Sequence, residues 1–253
     1  MSDFDRNVAA ARGGYAADRA LAIDAGLRAH MIRVYNYMAG AVALTGVVAW
    51  LTFQMATATT ATGQLALTPL GQTLFNSPLK WVVILAPLAL VFFISFRIDR
   101  LQVGTAMTLF LAFATLLGIS LATIFIAYTG TSITRVFFIS AASFGALSLY
   151  GYTTQRNLSA IGSFLIMGLI GVIIASLVNL FLQSSAMHFI ISVVGVLVFA
   201  GLTAWDTQKI KEMYDVNDDG TVAGRKAVMG ALTLYLDFIN LFLFLLRFMG
   251  DRR

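Results

Sequence analysis

Seven apolar stretches, each near the length a helix needs to cross a bilayer, constrain this chain more than any other feature. They cover about 34–55, 80–97, 103–126, 133–150, 161–182, 187–207 and 227–248, and a hydrocarbon core of about 30 Å takes about 20 residues of helix. Backbone amides in lipid have no water to bond. With no alternating strand pattern in the chain, closing each stretch into a helix is the simplest way to satisfy them. The expected fold is an all-α integral membrane protein of seven transmembrane helices. Composition agrees: 59% of the 253 residues are hydrophobic and 11% charged, against about a quarter charged in a soluble domain. The absence of cysteine excludes disulfides and cysteine-ligated metal sites.

Residues 1–30 mix Asp, Arg, Ala and Gly without an apolar core, so they do not read as a cleaved signal peptide. They are expected to be a mobile cytoplasmic tail, with residues 31–253 forming the transmembrane domain. Basic residues stay preferentially on the cytoplasmic side. With the N-terminus inside, the inner segments hold Arg6, Arg12, Arg19, Arg28, Arg33, Arg97, Arg100, Arg156, Lys209, Lys211, Arg225 and Lys226. The outer segments hold only Lys80, Arg135, Arg247, Arg252 and Arg253. The predicted N-terminus is therefore cytoplasmic and, after seven spans, the C-terminus is outside. These charges sit at span ends and form no stripe interleaved with aromatics, so nucleic acid is not an expected partner. The lipid bilayer is.

Small residues at a spacing of four, Gly171 with Ala175 and Ala141 with Gly145, predict places where helices approach closely. Pro87 falls inside the second stretch and reads as a tolerated kink. The run "DVNDDGTVAGRK" at 215–226 nears a calcium-binding EF-hand loop, with Asp215, Asn217, Asp219, Gly220 and Val222 at matching positions. Its twelfth position, where a bidentate Glu belongs, is Lys226 with Arg225 beside it. The run reads as a connector, with weak calcium binding as the lesser reading; residues 218–220 supply the turn.

Ionisable side chains inside spans are costly and carry more information. Asp237 lies near the middle of the last stretch, about 16 Å along the helix from its start. Gly230, Thr233, Asp237 and Asn240 recur at spacings of three and four, a small and polar stripe that must face the protein interior. Asp206 ends the sixth stretch, where an interfacial cap is a competing reading, and Lys209 and Lys211 beyond it can snorkel to the interface.

The segments that carry these residues, "GLTAWDTQKIKEMY" at 201–214 and "GALTLYLDFINLFLFLLRFMG" at 230–250, together with "ASFGALSLYGYTTQRNLS" at 142–159, closely resemble the Bax inhibitor-1 family, and in particular its bacterial branch. The resemblance runs from about residue 28 onward. It implies a last helix at the centre of the bundle, surrounded by the other six, and a pH-sensitive calcium leak with calcium as the transported ion and no cofactor. It also implies that Asp206 and Asp237 are a hydrogen-bonded, pH-sensing pair, linked to an arginine of the second helix. Arg97 and Arg100 lie near the right end of that helix, and neither aligns unambiguously with the family's arginine. An acidic residue present in the second helix of some relatives is absent here. Asn240, on the stripe of Asp237, is a further candidate gating partner.

Physical chemistry supplies a mechanism for such a pair. Two carboxyl groups close together in low dielectric cannot both ionise cheaply, so they share a proton, and the titration belongs to the pair. Loss of that proton sets two negative charges against each other and offers hard oxygen ligands suited to calcium. The alternative function is a non-conducting regulator of membrane protein quality control that engages a membrane-bound protease through the tail. An intramembrane enzyme is not expected. His30 and His188 lie near opposite faces, unsuited to a shared metal shell, and no glycine-rich signature accompanies the aspartates, so a paired-aspartate protease is disfavoured. The expected location is the bacterial cytoplasmic membrane.

Overall fold

A computed structural model describes residues 3–60 and 64–253 of the chain, with side chains described from residue 24 onward. Eight helices make up most of it: α1 (Asp3–Ala56), α2 (Pro69–Phe75), α3 (Leu79–Arg97, extended by a 3-10 turn over Ile98–Arg100), α4 (Val103–Ala127), α5 (Gly130–Thr153), α6 (Ser159–Leu182), α7 (Ser185–Glu212) and α8 (Gly220–Met249). All but the short α2 are long and apolar enough to span a bilayer, α1 from Asp24 onward. They match the seven stretches of the sequence, most lengthened by a few residues and the first and last by seven or more at their starts. The expected separate tail over 1–30 falls largely on residues whose side chains lie outside the described ones. From Asp3 the backbone is helical and continuous with the rest of α1.

Two short strands, β1 (Thr57–Thr59) and β2 (Leu65–Leu67), pair antiparallel between α1 and α2, a hairpin that the search for long apolar stretches did not anticipate. Pro87 is buried within an uninterrupted α3. Short connections are possible because the sequence caps its own helices. The hydroxyls of Thr129 and Ser184 accept from the amides of Ser132 and Met187, and the Asp219 carboxylate accepts from Val222 N at 2.7 Å. Each satisfies an amide that the first turn leaves without a partner. Gln183, at φ 49° in the left-handed region, ends α6. Asn179 Oδ1 there accepts from Ser184 N at 2.9 Å, so the chain reverses directly into α7.

The last helix is central. α8 packs against α1, α4, α5 and α7, whereas α3 leans mainly on α4 and α6 on α7. The ring expected from the family resemblance is therefore uneven: four helices flank α8 closely and two stand outside. Tyr235, Leu232, Leu234, Leu241 and Leu246 of α8 are fully buried, while Trp81, Leu88 and Phe92 of α3 and Phe164, Ile170 and Leu177 of α6 are exposed.

Lipid tails are as apolar as leucine, so close packing and polar contacts hold such helices together more than apolar burial does. The expected close-approach pairs do not supply that packing. Gly171 and Gly145 are exposed, with no atom within 4 Å of a Cβ placed on either. The tight approaches are elsewhere: Gly151 of α5 against the Ala204 backbone of α7, Gly162 of α6 under the Trp205 ring, and Gly195 of α7 under the Phe244 ring.

Candidate functional site

The face of α8 that carries Thr233, Asp237 and Asn240 borders a cavity of about 700 Å³ between α6, α7 and α8. Gly230, at the start of the stripe, instead lets Ile210 of α7 pack against the helix. The cavity's polar lining is Asp206 and Lys209 from α7, Thr233, Asp237, Asn240 and Arg247 from α8, and Ser176 from α6, whose other lining residues are apolar. A helix places residues at spacings of three and four on one face, so the primary sequence of α8 alone puts Thr233, Asp237, Asn240 and Arg247 along one line.

Asp206 is not a helix cap. α7 continues for a turn and a half to Glu212, and Asp206 is 7% exposed and Asp237 5%. The two carboxyl groups lie close enough to act on each other, and a hydrogen bond between them requires one to carry a proton, because two carboxylates offer only acceptors. Asp237 Oδ2 is buried without a hydrogen-bond partner among the described residues. A buried oxygen without a protein partner, at the edge of a space large enough for several waters, is a point where solvent or an ion can be held.

The segment after Asp206 is fixed by bonds to other helices. Thr207 Oγ1 donates to Thr203 O at 2.7 Å, so Ser148 of α5 donates to Thr207 at 2.9 Å, and Tyr35 of α1 donates to Ser148 at 2.5 Å. Gln208 clasps the α5–α6 connection: its Nε2 donates to Arg156 O at 2.9 Å and its Oε1 accepts from Leu158 N at 2.8 Å. Lys211 Nζ donates to Tyr152 O at 2.9 Å, and Lys209 sits over the Trp205 ring. On α8, Tyr235 donates to Thr45 of α1 at 2.7 Å, since Thr45 spends its own proton on Ala114 O. Bonds from α5 and the α5–α6 connection thus fix α7, and a bond from α1 fixes α8.

Of the residues singled out in the sequence, Asp206, Asp237 and Asn240 meet in one cavity. Arg97 and Arg100 do not join them: both are exposed at the end of α3 and line no part of that space. The cation whose charge acts on Asp206 is Lys209, three residues along α7. Sequence reasoning placed Lys209 and Arg247 only as basic residues at span ends and missed both as lining residues. Continuing the stripe through Phe244 to Arg247 would have found the second.

The 215–226 run is not shaped as a calcium loop. α8 already begins at Gly220, with Asp219 as its N-cap, so Lys226 lies inside a helix. Asp218 pairs with Lys226, and Asp215 Oδ1 accepts from both the backbone and the side-chain nitrogen of Asn217 at 2.9 Å. Those donors hold the Asp215 carboxyl below the usual carboxylate range. Among the described residues no three His, Asp or Glu side chains group as a metal site, so the acidic groups of the cavity able to meet a cation are the Asp206–Asp237 pair.

A family model described as "Inhibitor of apoptosis-promoting Bax1" matches residues 27–253, a range that takes in all seven spans and the carboxyl pair. The chain belongs to the Bax inhibitor-1 family. Similar relatives cover nearly the whole chain. A protein of Rickettsia prowazekii is 48% identical over 230 residues, covering 91% of this chain and 92% of its own length. The inner membrane protein YbhL of Escherichia coli K12 is 45% identical over 232 residues, 90% of this chain and 94% of the relative. A protein of Caulobacter vibrioides is 42% identical over 260 residues and covers both chains in full. This member of the Bax inhibitor-1 family is a multi-pass membrane protein in which two of the three segments that gave the resemblance, 201–214 and 230–250, carry both carboxyl groups of the cavity.

Proposed function

We propose that this Bax inhibitor-1 family protein is a pH-sensitive calcium leak of a bacterial inner membrane, switched by the proton that Asp206 and Asp237 share. The observation that carries this reading is the buried carboxyl pair on the wall of a cavity between α6, α7 and α8, with one oxygen of Asp237 left without a protein partner. The excess of basic residues on one side supports a cytoplasmic N-terminus. The inner-membrane relative of Escherichia coli supports the location.

While one proton is shared, the pair ties α7 to α8. When pH rises and that proton leaves, two carboxylates face each other in a poorly screened space and push the helices apart. The same oxygens become hard ligands for a divalent cation. Conformers separated by about a few kcal/mol are shifted by an event of that size. Flux therefore rises with pH through the second ionisation of the pair.

The decisive experiment is calcium flux through purified protein in liposomes across a pH series. The wild-type chain should leak more as pH rises, and Asp206→Asn and Asp237→Asn should each give a low flux that no longer responds to pH. Flux that ignores pH and is unchanged by Asp237→Asn would remove the proposal.

A further inference from the structure

We propose that Arg247 is the charge filter of the cavity, setting how readily a cation passes between its C-terminal mouth and the carboxyl pair. This rests on reading the cavity as an ion path. Arg247 ends the α8 stripe and lines the same space as Asp237, ten residues or about 15 Å along the helix axis. Its guanidinium lies over the Phe244 ring, 5.6 Å from the centroid, which holds a planar cation in place better than it would a flexible ammonium.

Among the described residues no carboxylate pairs with it. The nearest acid in the sequence, Asp251, is engaged by Arg135 at 2.7 Å, and no acidic residue lines the cavity beyond Asp237 toward that mouth. Leu180 also borders an adjoining space lined by Asn179, Gln183, Ser184, Ser185, His188 and Arg252. The charges of both Arg247 and Arg252 act on His188, and Arg252 itself lies over the Tyr128 ring. An entering cation therefore meets positive charge before it meets the aspartates. A residue that merely anchors a helix end at the interface needs no place on the cavity wall, and removing its charge would not alter access to the interior.

The natural lack of cysteine allows a direct test that does not depend on calcium conduction. Asn240→Cys places one thiol in the cavity, seven residues or about 10 Å from Arg247 along the axis. Purified protein in detergent at fixed pH is reacted with methanethiosulfonates carrying either a trimethylammonium or a sulfonate group, and the two rates are compared. Adding Arg247→Gln should raise the cationic-to-anionic rate ratio about tenfold, Arg247→Glu should raise it further, and Arg247→Lys should leave it within about twofold. The same ratio in all four backgrounds, or a thiol that reacts with neither reagent in any of them, would overturn the filter. In liposomes Arg247→Gln should increase calcium flux at every pH while the response to pH persists. A chain that passed no calcium yet showed the shifted reagent ratio would lose the leak and keep the filter. A pH-dependent flux with an unshifted ratio would do the reverse.

Discussion

Gln208, two residues past Asp206, bears more of the local architecture than its place in an exit segment suggests. Its amide satisfies a buried amide of Leu158 and a carbonyl of Arg156 in the connection between α5 and α6. Leaving such groups without partners costs about 1–3 kcal/mol. Gln208→Leu should therefore lower the melting temperature in detergent and speed proteolysis across residues 154–158. Gln208→Glu, which keeps the acceptor and loses the donor, should fall between it and the wild type. The identity of Asp206 and Asp237 as unusual residues was legible from hydropathy alone, since a carboxyl inside an apolar stretch is rare. Their meeting was not, because they stand on two helices and nothing in either helix's periodicity sets its rotation against the other. The acidic run at 215–226, read as a connector because of Lys226, is the converse case. Its spacing imitates a calcium loop, but an early helix start at Gly220 commits Asp219 to capping.

At the scale of helices, small residues spaced by four occur both on faces that pack and on faces that meet lipid. Gly145 and Gly171 have open space where a Cβ would go, whereas at Gly151 an added Cβ would sit 2.1 Å from Ala204 O. Backbone on the other side leaves little room to relax. Gly151→Ala should cost about 1–3 kcal/mol, the usual range for overpacking, and Gly145→Ala should be neutral within about 0.5 kcal/mol. Reversible unfolding of the two variants in mixed micelles would decide this, and equal stabilities would show that α5 and α7 are not in such close contact. A helix that is apolar on every side has no polar face to mark, by contrast, the side that turns inward. That is why the sequence located α5 and α6 correctly but chose the wrong glycines.

At the scale of the molecule, the uneven ring around α8 makes the cavity: α6 reaches α8 chiefly through α7, and the space left between them is where the polar stripe looks out. The orientation argued from basic residues has its own test. A cysteine at Ser185, in the connection side of α7, should react with an impermeant maleimide in intact spheroplasts, and one at exposed Val216 only after permeabilisation. The reverse pattern would invert the topology and with it the side from which Arg247 screens entering ions. By itself the sequence determined the number and approximate positions of the seven spans and the two carboxyls among them. Span length answers to bilayer thickness and the cost of a buried charge to local dielectric, and both can be read along one dimension. Only the tertiary structure decided which helix faces pack, that Asp206 stands against Asp237, that Lys209 and Arg247 rather than Arg97 or Arg100 share their cavity, and that a short hairpin joins α1 to α2. Each of these depends on contacts between residues far apart in the chain, which the periodicity of a single segment does not encode.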